Sequence, residues 1–180
     1  ISGLDFKAKA SYILGTYWVR VPFNRSGVSW DDYLLSDLEN PDLPEYKIYV
    51  FLNASSLTPG QIDYIRKNLQ KDENVLLFFN NSGYSVGDFE HNIKDLTGIR
   101  VKMDAAGELG EGSGYVDLKN SPLKGLSDIY SLSPTPIFYV DDPSATPLAN
   151  ILGTNRIGAA MKRHENWTGV YLSLPGVISP

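Results

Sequence analysis

Asn80-Asn-Ser-Gly83 follows an apolar run and precedes a helical pattern, the strand-to-helix turn at which α/β sheets place their ligands. A serine nucleophile would occupy such a turn. The glycine that G-x-S-x-G requires before Ser82 is missing, however, so a polar turn is the better reading. Its candidate ligand-binding residues are Asn80, Asn81, Ser82 and Tyr84. His91 and His164 are the only imidazoles. A catalytic base must lie within hydrogen-bond reach of its nucleophile. His91 falls on a predicted helix and His164 in a Lys/Arg/Glu turn, and both read as solvated. Two histidines without cysteine do not make a structural zinc site, and no metal or cofactor is expected.

Glycoside hydrolysis needs two acids flanking the scissile bond. Asp31-Asp32 and Asp141-Asp142 are adjacent pairs, which on a strand point to opposite faces. Asp141-Asp-Pro143 reads as a strand end entering a turn. Glu108 and Glu111 lie in a glycine-rich loop, a poor platform for catalysis. Gly107 to Gly114 has the glycines of a phosphate loop, but it carries acids and lacks the Gly-Lys-Ser/Thr ending. Trp18, Trp30 and Trp167 are candidate sugar-stacking rings. Most aromatics belong in a core. Trp30, near a predicted strand end, and Trp167, in a turn, are the two to place against a ligand.

Composition narrows the partners. The net charge is −5, from 16 Lys+Arg against 21 Asp+Glu, which argues against nucleic acid because phosphate binding needs a concentrated basic surface. Lys162-Arg-His164 is too short a basic run to change that. No apolar run approaches a membrane span. The chain has no cysteine, which removes disulfides and cysteine nucleophiles together. Four sequons (at Asn24, Asn53, Asn80 and Asn166) matter only in a glycosylating host. No targeting segment precedes the first elements, the compartment is left open, and both ends read as boundaries of a piece of a longer protein.

The elements that must position these residues are clearest between 47 and 103. Lys47 to Leu52 is a continuous β-forming run, expected to be a strand buried on both faces. Thr58-Pro-Gly-Gln61 supplies an N-cap, a proline at the first helical position and a capping box. Ile62, Ile65 and Leu69 then mark one apolar helix face. Val75 to Phe79 is a second apolar strand, and strand, helix, strand at this spacing predicts a right-handed βαβ unit. Ser85 is the expected cap of a second helix with Phe89, Ile93 and Leu96 on one face and Gly98 at its end. Ile99 to Met103 reads as a strand. Tyr12 to Val21 is apolar and ambiguous, and Asp32 to Leu38 reads as a short strand. Beyond residue 104 a β-rich half is expected, with strands at 115–118, 136–140, 148–152, 157–161 and 170–174.

The stretches Gly27 to Leu38 and Leu43 to Ala54, the Thr58 helix, Val75 to Gly83, Leu96-Thr-Gly-Ile99, Pro136 to Pro143 and Trp167 to Leu172 resemble, in order, the glutamine amidotransferase-like domain of large glycoside hydrolases. It is similar to the β-galactosidase trimerisation domain. The resemblance implies an α/β, flavodoxin-like, mainly parallel sheet with flanking helices and a β-rich C-terminal half, in one domain over 1–180. It implies a position after a catalytic (β/α)₈ barrel, with contacts to that barrel or to neighbouring subunits. True amidotransferases of this class carry a cysteine at an elbow after a strand. The corresponding region here is Phe79 to Gly83, without cysteine, so that activity is excluded. The expected function is a non-catalytic accessory or oligomerisation domain of a carbohydrate-active enzyme. The alternative is a stand-alone carbohydrate-binding module using exposed aromatics.

Overall fold

The computed structural model describes residues 24, 27–52, 54, 56–79, 82–83, 88–104, 116 and 137–173. The expectations for Tyr12 to Val21, for the Gly107 to Gly114 loop, and for Asn80, Asn81 and Tyr84 lie outside the described residues.

The strand, helix, strand order and the parallel pairing of the two strands are as expected. Strand β1 (Ile48–Phe51) pairs in parallel with β2 (Asn74–Phe79), Ile48 opposite Val75 through Phe51 opposite Phe78. Helix α1 (Pro59–Tyr64) connects them and continues as a π-helical turn, Ile65–Leu69. Its start follows the capping chemistry. Gln61 N–H donates to Thr58 Oγ1 at 3.1 Å, and Thr58 N–H donates to Gln61 Oε1 at 2.9 Å. Ile62, Ile65 and Leu69 are buried against Phe51, Leu76 and Phe78, and the Phe51 and Phe78 rings stack at 4.4 Å.

Two local expectations are corrected. Residues 32–38 are not a strand: Leu35–Asp37 is a 3₁₀ turn, with Leu34 N–H donating to Asp37 Oδ2 at 3.1 Å. Asp37 gives the backbone a local partner that outcompetes a ladder. Helix α2 (Phe89–Thr97) starts later than expected and is capped by Asp88, whose carboxylate accepts from His91 N–H at 3.2 Å; Ser85 lies outside the described residues. Phe89, Ile93 and Leu96 form its buried face, and Gly98 ends it in the left-handed region at φ +70.

The sheet is mixed rather than mainly parallel. Strands β3 (Val101–Asp104), β4 (Ile137–Val140), β5 (Thr146–Asn150), β6 (Ile157–Arg163) and β7 (Trp167–Leu172) complete it. The order is β1-β2-β7-β6-β4-β3, with β5 paired to β6 off this path. The β1–β2 and β2–β7 pairs are parallel, and the other four are antiparallel. The physical reason is connection length. Three residues join β6 to β7, which permits only a hairpin, whereas parallel neighbours need a long crossover. The chain is therefore α/β in class, with few helices among the described residues and strands predominating over 137–173.

The burial-on-both-faces expectation fails for β1. Ile48 is 62% exposed because β1 stands at one end of the strand order. One sheet face is covered by α1 and α2. Under α2, Phe89, Ile93, Ile99, Val101, Phe138 and Tyr171 form a second buried cluster. On the third cluster, Phe79, Val116, Ala149 and Ala159 are buried with Leu77, Leu148 and Leu172 against them. Among the described residues, no helix is long and apolar enough to cross a membrane.

Candidate functional site

The candidate residues fall into different parts of this frame. Ser82 is fully buried, and its Oγ–H donates to the Phe79 carbonyl at 2.9 Å. The serine therefore holds the turn after β2 closed, helped by Gly83, whose N–H donates to the Ala54 carbonyl at 2.8 Å. Trp167 opens β7 and stacks on His164 at 4.0 Å with an interplanar angle of 10°, while its ring packs against the α1 cluster. Trp30 is half-buried, and its Nε1–H donates to Asn24 Oδ1 at 3.2 Å.

His164 is not the solvated residue expected. It is half-buried between Trp167 and the end of α2, with Nε2 at 3.3 Å from the Thr97 carbonyl oxygen. A carbonyl only accepts, so the bonded tautomer carries its proton on Nε2. Burial holds this imidazole below its ordinary pKa, against the opposing pull of the Thr97 bond. The space is made by two glycines. A Cβ at Gly98 would overlap the His164 ring, and one at Gly169 would overlap the Thr97 carbonyl oxygen. His91 is exposed, as expected, and lies 3.4 Å from Asp95.

Asp141 and Asp142, just beyond the end of β4, turn to different partners. Asp141 meets Lys102 at 2.7 Å on the surface. Asp142 is buried and accepts from Lys162 Nζ at 3.0 Å, Ser144 Oγ at 2.6 Å, Ser144 N–H at 3.0 Å and Arg100 N–H at 3.2 Å. Burial alone would raise its pKa. The bonds from Ser144, Lys162 and Arg100 outweigh that and hold it well below the usual carboxylate range. Every acceptor position is used internally, so this acid is a structural pin between β4, β6 and the start of β3.

An aromatic cluster spans the stretch before β1 and the strand itself. Tyr46 Oη–H donates to Asp31 Oδ2 at 2.6 Å, and the Tyr33 and Tyr46 hydroxyls lie 2.8 Å apart. The Tyr33 and Tyr46 rings are tilted at 6.2 Å, and Tyr46 meets Tyr49 edge-on at 6.1 Å. The bond to Asp31 pushes the Tyr46 phenol up, with the Tyr33 bond adding to it. The stretch is anchored from behind: Leu35 and Leu38 pack on the α1 cluster, and Gln61 Nε2–H donates to the Leu35 carbonyl at 2.7 Å. Its outer side exposes Val28 (66%), Leu34 (64%) and Tyr33 (44%).

Sequence reasoning picked Trp30 here but missed Tyr33, Asp31 and Tyr46. Asp31 was visible only as half of an adjacent acid pair. No periodic signal links residues 13 to 15 positions apart across irregular chain. Among the described residues, no group of three or more His, Cys, Asp or Glu side chains is arranged to hold a metal ion. No family model, curated protein or solved structure matches the chain.

Proposed function

We propose that the chain is a non-catalytic accessory or assembly domain of a carbohydrate-active enzyme, related in its βαβ portion to flavodoxin-like, amidotransferase-like domains. The observation that carries this reading is the exposure of Val28, Tyr33 and Leu34 on the same stretch of chain as the Tyr33–Tyr46–Asp31 ladder. Apolar and aromatic side chains grouped outside the core mark a surface that packs against another protein. The turn after β2 supports it from the other direction. The region that would carry an amidotransferase cysteine holds Ser82 instead, buried and bonded to the Phe79 carbonyl.

The test is the coding sequence on either side of this segment, together with the activity of the chain. The expected outcome is an upstream (β/α)₈ barrel with two carboxylates at strand ends, and no release of nitrophenol from a nitrophenyl galactoside by the purified chain. A start codon immediately before Ile1 and a stop immediately after Pro180, or hydrolysis that co-purifies with the chain, would sink the reading.

A further inference from the structure

We draw no further inference here: the strongest candidate, the apolar outer edge of strand β1, where Ile48 stands exposed at one end of the strand order, carries nothing because nothing in the structure shows what covers it.

Discussion

Replacing Asp142 tests how the second half of the sheet is held together. The carboxylate takes four hydrogen bonds, from Arg100 N–H, Ser144 N–H, Ser144 Oγ–H and Lys162 Nζ, and is itself buried. Asp142→Ala strands all four donors. Breaking a buried ion pair on one side costs about 3–5 kcal/mol. Lys162 is a quarter exposed and Ser144 is exposed, so water recovers part of the loss and the expected cost is about 2–4 kcal/mol. Asp142→Asn keeps an acceptor for Ser144 but turns an amide N–H₂ toward Lys162 or Arg100, and is expected to cost about 2 kcal/mol. The assay is urea unfolding of wild type and both variants across pH. The carboxyl is held below its unfolded pKa, so its contribution is fully present above about pH 4 and is lost as pH falls toward the folded value. The gap between wild type and Asp142→Asn therefore closes on acidification. An Asp142→Ala variant within about 0.5 kcal/mol of wild type at pH 7, or a gap that ignores pH, refutes the reasoning.

Two further outcomes concern the contact between β7 and α2. Gly169→Ala drives a methyl into the Thr97 carbonyl and is expected to cost about 3 kcal/mol, against about 1 kcal/mol for Gly153→Ala, where φ is +74 and the space is open. Equal shifts in thermal midpoint would contradict the close approach. His164 is held below its unfolded pKa by burial, so its neutral form stabilises the fold above about pH 6.5 and that contribution fades as pH falls. His164→Gln is expected to flatten the decline in stability between about pH 7 and about pH 5, and an unchanged slope would count against it.

What the sequence made legible was local. The Thr58 cap, Pro59 and Gln61 are adjacent in the chain, and the contacts they imply are the ones found. The helix between β1 and β2 supplies the long crossover that parallel neighbours need, and the two strands are parallel. The position of β7 between β2 and β6 was not legible, because pairing partners far apart in sequence leave no periodic trace in either strand. Asp88 is by residue type as good a cap as Ser85, and nothing local in the sequence ranks the two. The ladder of Asp31, Tyr46 and Tyr33 was hidden likewise, since its members meet through the path of an irregular segment. Trp167 and His164, read as exposed, are drawn inward by a stacking contact that two glycines elsewhere make room for.

The insertion of β7 has a consequence for synthesis. Strand β2 is flanked in parallel by β1, which leaves the ribosome before it, and by β7, which leaves only after residues 80–166. While the intervening chain is being made, the nascent βαβ unit carries an apolar strand with one unpaired flank, the kind of edge that recruits other chains. The flank can be filled only once Trp167–Leu172 has been made, so completion of the first core waits on residues far along the chain. A chain truncated before Trp167 would keep its helices and its first core, yet be drawn into inclusion bodies by the flank left open.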